Sequence, residues 1–443
     1  MQRSFRRWQR LGSWWRLTMF WTGAVVTGLV AVAFAWGSDH AQKWFLGVAA
    51  NGTLARWLVP PLGFALIAWL TNRYFSEARG SGIPQTIAAL QMQAGAQRDR
   101  LLSLKNAAGK FVLTIAALGC GASIGREGPT VQIGASIMYS LRNWARLRVA
   151  GLDRSLILAG GAAGVAAAFN TPLAGVVFAI EELSRSFEQR ATGAIFVAVV
   201  LAGVTAIGLN GNYAYFGMTH SVLPGAFGWV AVPLCGLCGG VAGGIFARCM
   251  LFVRSAVPIV IRRWPLLTPV RLALLCGVLV AALGALSDGE TIGTGYAQAR
   301  MLVQQEGMPG PLFAVEKFAA TLMSYAAGIP AGIFAPSLAI GAGLGGLLGT
   351  FWSVAPVGTM VVLTMVAYFA GVVQAPLTAL VIVGEMTGDR SLTLPLMAAA
   401  LIGRGASSLL CHQSLYQSLA LPFMKSAPVA HARSGGPDLP RAG

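Results

Sequence analysis

Long apolar runs separated by short polar segments dominate this sequence. The runs lie at residues 17–36, 54–70, 107–124, 129–141, 155–180, 191–209, 227–253, 270–287 and 312–327. Residues 318–384 contain no charged side chain, which leaves room for about three spans of roughly 20 residues each. Because the runs are continuous rather than alternating, they predict transmembrane helices and not a β-barrel. A polar connection is expected at 38–53, and residues 71–105 are more polar than the runs.

Composition supports a polytopic membrane protein. The chain has 443 residues, of which 56% are hydrophobic and 11% charged, with a mean hydropathy of +0.67. The 56 glycines and 21 prolines suit closely packed and interrupted helices. Cys235 and Cys238 form a lone CxxC without a nearby histidine, and the four histidines show no metal-binding spacing. We therefore expect neither a metal site nor a cofactor.

The charge distribution indicates topology rather than nucleic-acid binding. The net charge is +17, but the arginines cluster between apolar runs, at positions 3–16, 142–154 and 248–271. This positive-inside bias predicts a cytoplasmic N-terminus, and no module for nucleic acid is visible. The run at 17–36 follows an arginine-rich start and resembles a signal peptide. Since it is long enough to span, we expect it to be retained as the first span.

One stretch, Gly125-Arg126-Glu127-Gly128-Pro129, places a carboxylate within an apolar region. A charge at membrane depth costs about 2.5–3.5 kcal/mol on insertion scales, so it has a partner or a function. The glycines and the proline predict a break, with a helix restarting at Pro129. The free N–H groups at that helix start would favour an anion. The alternative is an Arg126–Glu127 pair in a kinked helix.

An internal repeat of about 205 residues divides the chain. Lys110-Phe111 is followed by Thr114, Gly125, Pro129 and Ile133-Gly134-Ala135, and Lys317-Phe318 is followed at the same offsets by Thr321, Gly332, Pro336 and Ile340-Gly341-Ala342. Similarly, Asn170-Thr171-Pro172-Leu173 with Glu181 matches Gln374-Ala375-Pro376-Leu377 with Glu385. The repeat predicts a membrane domain at 17–420 with halves at about 54–210 and 227–420. An arginine-rich segment (1–16) and a short, disordered tail (421–443) would flank it.

Paired halves with interrupted apolar segments are typical of transporters, whose substrate site lies where the breaks meet. The first break carries Arg126 and Glu127, and its mate, Gly332-Ile333-Phe334-Ala335-Pro336, is uncharged. Two helix N-termini facing one point would favour an anion. The series Gly341-x-Gly343-x-x-Gly346 matches a dinucleotide-binding fingerprint, but no strand precedes it. We interpret it as helix packing.

Three stretches together resemble the signatures of the CLC chloride channel/transporter family. They are Gly80-Ser81-Gly82-Ile83-Pro84, Gly125-Arg126-Glu127-Gly128-Pro129 and Gly332-Ile333-Phe334-Ala335-Pro336, in the family's order. Gln413-Ser414-Leu415-Tyr416 is similar to the family's late tyrosine motif. Ala331 and Gln85 depart from common family residues, glycine and an acidic residue respectively, without touching a ligand position. The resemblance covers about residues 54–420 and is typical of prokaryotic members, without regulatory C-terminal CBS domains.

The resemblance implies an all-α polytopic fold with two inverted halves and interrupted helices, assembled as a homodimer with one pore per subunit. Ser81 and Tyr416 would offer hydroxyls to chloride, with the backbone N–H groups of Ile333 and Phe334 completing the site. Glu127 would gate the anion path and exchange external protons. Glu182 would relay protons from the cytoplasm, although on sequence alone it could simply mark a helix end at the surface.

The resemblance further implies chloride/proton antiport in a bacterial inner membrane, with chloride and protons as transported ions and both termini cytoplasmic. The main alternative is a passive chloride channel of the same fold, and Glu182 is the residue that bears on this choice. Another alternative, an intramembrane enzyme using Glu127 and a histidine, is disfavoured because no histidine lies in the repeat motifs. We therefore expect a transporter without catalytic residues.

Overall fold

A computed structural model describes residues 2–143, 151–184, 189–211, 214–217, 223, 225–264, 266–389 and 391–425. In these residues the regular structure is helical, and the one β-type pairing is a bridge between Gly125 and Gly332. The helices up to residue 210 are α1 (Gln2–Asn51), α2 (Thr53–Tyr74), α3 (Ile83–Gln91), α4 (Ala96–Leu101), α5 (Leu104–Gly119), α6 (Glu127–Ser140), α7 (Leu152–Phe169), α8 (Pro172–Phe178) and α9 (Gln189–Asn210).

The remaining helices are α10 (Gly225–Gly228), α11 (Ala231–Arg263), α12 (Pro269–Leu286), α13 (Tyr296–Gln304), α14 (Phe313–Ala326), α15 (Phe334–Phe351), α16 (Val357–Val373), α17 (Pro376–Thr387), α18 (Thr393–Ser408) and α19 (Leu415–Lys425). Short 3-10 segments cover Ser76–Ala78 and Leu141–Asn143, and a π-helical turn covers Ala179–Ser184. Residues 426–443, which hold most of the predicted disordered tail, lie outside the described residues. Helix α19 runs five residues past the predicted domain end at 420.

The predicted all-α membrane fold is confirmed. Seven helices in the described part of the chain are long and apolar enough to cross a membrane, and three shorter apolar helices accompany them. The outer helices expose large apolar side chains, among them Leu62 on α2 and Phe252 on α11. Such an apolar exterior is expected where lipid rather than water is the solvent.

The predicted polar connection at 38–53 is wrong. Helix α1 continues to Asn51, and the break comes at Gly52, whose backbone is extended (φ −145°, ψ 108°). No proline lies between residues 38 and 51, and strong helix formers such as Ala41, Gln42 and Lys43 lie there, so the helix continues where polarity alone suggested a loop.

Several predicted runs prove to be broken helices. The run 155–180 contains a break at Asn170, which adopts a left-handed backbone (φ 58°) between α7 and α8. The uncharged stretch 318–384 contains most of α14, all of α15 and α16, and most of α17, and of these only α15 has full spanning length. The helix predicted to restart at Pro129 begins at Glu127 instead, so Pro129 lies in its first turn, where no N–H is required.

The internal repeat is visible in local structure. Lys110 and Lys317 occupy matching positions and are both fully buried. Lys110 Nζ donates to the Gly80 carbonyl at 3.0 Å, and Lys317 Nζ donates to the carbonyls of Thr291 and Gly293 at 2.8 and 2.7 Å. In each half the lysine therefore fixes an irregular segment to a helix.

The second repeat match behaves in the same way. Asn170 and Gln374 both adopt left-handed backbones (φ 58° and 61°), and a helix with proline at its start follows each. Sequence matches at equal offsets thus correspond to equal backbone turns.

Candidate functional site

The two predicted helix breaks meet inside the protein. The N–H of Gly125 donates to the carbonyl of Gly332 at 2.6 Å. A Cβ on Gly332 would lie 2.2 Å from the Gly125 oxygen, and a Cβ on Gly125 would lie 3.1 Å from Pro336 Cδ. Only glycines allow this approach, which brings the starts of α6 and α15 together as the repeat predicted.

Glu127 lies at the first position of α6 with 1% of its surface exposed. Its Oε2 accepts a hydrogen bond from the Ala335 N–H, in the first turn of α15, at 3.4 Å. No described residue provides a hydrogen-bond partner for Oε1. The carboxylate therefore lies at the N-terminus of the facing helix, where unpaired N–H groups attract negative charge.

Ile333 and Phe334 flank this contact. Ile333 precedes α15 as its N-cap and Phe334 is its first residue, and both are buried. Their N–H groups belong to the first positions of the helix, which have no intrahelical acceptor. The amide that holds Glu127 belongs to Ala335, one residue further along than the pair predicted to bind an anion.

Ser81 and Tyr416 both bury their hydroxyls beside the paired helix starts. Their exposed fractions are 2% and 0%, and neither hydroxyl has a hydrogen-bond partner among the described residues. A Cβ on Gly128 would lie 2.3 Å from Ser81 Oγ, so this hydroxyl lies against the first turn of α6. Tyr416 interacts electrostatically with both Glu127 and Glu182. Buried hydroxyls without partners are costly, and together these two offer donors to an anion.

The loop that carries Ser81 is tightly constrained. Gly82 has a left-handed-type backbone (φ 109°), and a Cβ there would lie 2.5 Å from the Gly128 carbonyl oxygen. Pro84 lies in the first turn of α3. The amide of Gln85 accepts from the Gly82 N–H at 3.0 Å and donates to the Arg79 carbonyl at 2.5 Å. Gln85, the departure from the family's acidic residue, thus fixes this loop without a charge.

Ala331 also pairs with this loop. Its N–H donates to the Gly80 carbonyl at 3.2 Å, and the Gly80 N–H donates to the Ile329 carbonyl at 3.1 Å. Both bonds use only the backbone, so alanine in place of the common glycine leaves them intact.

Arg126 forms an ion pair with Asp39. Its Nη1 donates to Asp39 Oδ1 at 2.6 Å and to the Ala35 carbonyl at 2.8 Å, both on α1. Arg126 is therefore bound to α1, so a pair with Glu127 is not needed to account for its buried charge. Sequence reasoning missed Asp39 because it fell in a segment assigned to a polar connection.

Glu182 is buried in the π-helical turn, with 1% exposure. Ser414 Oγ donates to its Oε1 at 3.1 Å, and Gln417 Nε2 donates to its backbone carbonyl at 3.2 Å. Glu182 therefore does not mark an exposed helix end. The contact with Ser414 was not predicted, although Ser414 lies two residues before Tyr416.

A cavity of about 330 Å³ leads to Ser81. Arg79, Arg254 and Tyr325 line it, and apolar side chains including Val257 complete the wall. Positive charge in a low-dielectric vestibule raises the local concentration of anions. The cavity can therefore supply an anion to the hydroxyl of Ser81.

Buried hydroxyls, paired helix starts and a buried carboxylate within a bundle of apolar helices are typical of a membrane transport protein. The family model described as "Voltage gated chloride channel" matches residues 63–408. The chain belongs to this family, the CLC family suggested by its three motifs.

Bacterial relatives match over most of their length. The chain is 33% identical over 406 residues to the H(+)/Cl(−) exchange transporter ClcA of Yersinia pseudotuberculosis, covering 85% of this chain and 81% of that protein. ClcA of Citrobacter koseri is 32% identical over 414 residues, covering 87% and 84%.

Solved structures share the fold. A slow cyanobacterial Cl−/H+ antiporter superposes with a TM-score of 0.81 at 26% identity, covering 93% of this chain and 98% of that one. A CLC-type fluoride/proton antiporter superposes with a TM-score of 0.74 at 23% identity, covering 91% and 98%. At that identity the second likeness concerns the fold alone.

Proposed function

We propose that this protein is a chloride/proton antiporter, not an enzyme, in which Glu127 gates the anion path. The observation that carries the proposal is the Glu127 carboxylate at the start of α15, beside the unpartnered hydroxyls of Ser81 and Tyr416. A carboxylate there occupies the position that favours any negative oxygen or halide. Ser81, Tyr416 and the N–H groups of Ile333 and Phe334 are the proposed chloride ligands.

Exchange follows because chloride and the ionised Glu127 carboxylate compete for one binding position at the start of α15. Protonation neutralises Glu127, removes its attraction to the helix N-terminus and lets chloride enter. A nearby chloride favours the protonated carboxyl through like-charge repulsion. Proton and chloride occupancy then depend on each other, which is the thermodynamic requirement for coupling. Hydroxyl ligands suit a transported anion because they donate hydrogen bonds without adding a charge that would trap it.

Glu182 is the proposed inner proton carrier. It is buried, and Tyr416 interacts electrostatically with both it and Glu127, so we propose that protons pass between the two carboxyl groups near Tyr416. A second buried carboxyl group that can carry protons favours antiport over the alternative of a passive channel. The relatives named H(+)/Cl(−) exchange transporters support the same choice.

We also propose a homodimer with one pore per subunit. Leu173 on α8, Leu377 on α17 and Leu394 on α18 are exposed by 61%, 50% and 65%. Helix α17 contacts both α8 and α18, and we propose that a second copy covers these exposed side chains. The native mass of the particle in lipid nanodiscs tests this, since a single-copy mass at all concentrations contradicts it.

The proposed orientation places both termini in the cytoplasm of a bacterial inner membrane. The arginine cluster at positions 3–16 supports this by the positive-inside rule. Protease access to an N-terminal epitope in right-side-out vesicles contradicts it, and protection supports it. Chloride, protons, lipid and a second copy are the proposed partners, with no nucleic acid and no cofactor.

The decisive experiment measures chloride efflux from liposomes together with external pH. A chloride gradient should drive protons uphill in the opposite direction. Chloride flux without any proton movement would leave the passive channel, and absence of both fluxes would contradict the proposed transport.

A further inference from the structure

A second, polar cavity of about 540 Å³ is lined in part by Ser414, whose hydroxyl contacts the buried Glu182 carboxylate. Its lining includes Glu181, Arg404, His412, Gln417 and Ser418 as well as Ser414. Glu182 does not line the cavity, and it is 1% exposed. A polar cavity of this size holds many water molecules, so water reaches the wall in front of Glu182 but not the carboxylate itself.

Ser414 connects the two sides of this wall. It lines the cavity, its residue is 6% exposed, and its Oγ donates to Glu182 Oε1 at 3.1 Å. Gln417 and Ser418 also line the cavity, but Gln417 reaches only the backbone carbonyl of Glu182, and Ser418 Oγ donates to Gln413 Oε1 at 3.0 Å. Ser414 thus joins the water-accessible space to the carboxylate through one hydroxyl.

We propose that the polar cavity is the inner proton entrance and that the Ser414 hydroxyl passes protons from cavity water to Glu182. This inference rests on the proposed antiport. Neither the repeat nor the family motifs assign a role to Ser414.

The step conserves protons and charge. A protonated water in the cavity forms a new O–H bond to a lone pair of Ser414 Oγ. The original Ser414 O–H bond breaks, and its proton forms an O–H bond on Glu182 Oε1. Rotation of the hydroxyl restores the starting arrangement, so one proton has moved and no charge remains on the serine. A hydroxyl can do this because it donates and accepts at once, and the 3.1 Å contact lies within hydrogen-bond reach.

The charged lining of the cavity fits this role. Glu181 is held by the N–H groups of Leu377 and Thr378 at 3.2 and 2.6 Å, while Arg404 and His412 are exposed. Acidic and basic groups therefore face the same water, and neither sign dominates the entrance. Because the acidic and basic charges balance, the lining does not concentrate chloride near Glu182, and protonated water can enter.

The test compares Ser414→Thr with Ser414→Val, which match closely in size and differ in the hydroxyl. Both are reconstituted as the full chain in liposomes, and proton and chloride fluxes are recorded together. Ser414→Thr should keep the ratio of proton to chloride flux, and Ser414→Val should lower it by about tenfold or more with chloride flux retained. Equal ratios in the two variants would overturn the relay.

Two further variants separate a relay from a positioning role. Ser414→Gly removes the side chain at a position that precedes α19, where glycine is tolerated, and leaves space for water. A relay predicts that water partly restores proton flux above that of Ser414→Val, whereas a positioning role predicts no recovery. Ser418→Ala, from the same cavity, should leave both fluxes unchanged. Loss of coupling in Ser418→Ala equal to that in Ser414→Val would overturn the assignment.

The outcomes also separate this inference from the proposed function. If the unmodified protein moves no protons, antiport itself fails. If the unmodified protein is coupled and Ser414→Val is equally coupled, only the role of Ser414 fails.

Discussion

The carboxylates of Glu181 and Glu385 each cap the helix start of the other repeat half. Glu181 accepts from the N–H groups of Leu377 and Thr378 at 3.2 and 2.6 Å, at the start of α17. Glu385, near the end of α17, accepts from Leu173 and Ala174 at 3.1 and 2.7 Å, at the start of α8. This reciprocal clamp ties the two halves together one residue away from Glu182. It also explains why both halves keep a glutamate eleven residues after the left-handed turn.

Neutralising either end of the clamp should destabilise the protein. In Glu181→Gln and Glu385→Gln an NH2 group replaces one of the two carboxylate oxygens. This nitrogen cannot accept a hydrogen bond, so one N–H at the helix start loses its partner. That loss costs about 1–3 kcal/mol, and thermal unfolding in detergent should shift to lower temperature by a similar amount in both. The proton-to-chloride flux ratio should fall only in Glu181→Gln, since Glu181 precedes Glu182.

Glu306 provides a control for the clamp, because it is exposed and lies beyond α13. Glu306→Gln should leave both stability and coupling unchanged. If the two clamp variants unfold at the same temperature as the unmodified protein, the observed hydrogen bonds contribute no stability.

Replacing Glu127 by glutamine should separate the two fluxes. Glutamine imitates the protonated carboxyl, so the anion site stays open while proton exchange ceases. We expect Glu127→Gln to retain chloride flux with no measurable uphill proton movement. Unmodified protein should pass chloride faster at acid pH because protonation vacates the site, whereas the variant should show no such acid activation.

Glu182→Gln serves as the comparison for this prediction. It should also abolish proton movement, but because Glu127 remains titratable, chloride flux should still increase in acid. A Glu127→Gln protein that still pumps protons would refute the assignment of the gate.

Breaking the Arg126–Asp39 pair should affect stability more than coupling. Asp39→Asn removes the charge from a 2.6 Å contact, but the Asp39 side chain is 52% exposed, and the Ala35 carbonyl still accepts from Arg126. We expect a loss of roughly 1 kcal/mol in unfolding free energy, at the upper end for solvent-exposed ion pairs. The flux ratio should remain normal. A lost flux ratio with unchanged stability would mean that Arg126 acts on the site through its charge.

The sequence was informative wherever a rule of spacing applied. Equal offsets in the two halves predicted that the breaks at Gly125 and Gly332 meet, and the bridge between them confirms it. Burial of Glu127 also followed, since a lone carboxylate in an apolar run must face the interior of the protein. Both the meeting of the helix breaks and the burial of Glu127 follow from residue types at particular positions, which the sequence shows directly.

Contacts between distant segments could not be predicted in the same way. Asp39 and Arg126 are 87 residues apart and Ser414 and Glu182 are 232 apart, and no repeat or periodicity relates them. The helix break at Asn170 was also hidden, because it lies inside the apolar run 155–180 and no charge marks it. Such contacts depend on how distant helices pack against one another, which a sequence pattern does not record.

The meeting of the two breaks provides the last prediction. In Gly332→Ala the new Cβ would lie 2.2 Å from the Gly125 oxygen and 2.9 Å from Pro129 Cδ, and neither backbone nor proline ring can rotate away. The starts of α6 and α15 would have to separate, which removes the Ala335 amide from Glu127. We expect chloride flux to fall by about tenfold or more, since a misplacement of about 1 Å can cost a hundredfold in a positioned site.

The matched control is Gly208→Ala on α9, where no atom lies within 4 Å of the added carbon and alanine favours the helix by about 0.5–1 kcal/mol. If Gly332→Ala transported chloride as fast as Gly208→Ala, the close approach of the two helix starts would not be needed for the anion site.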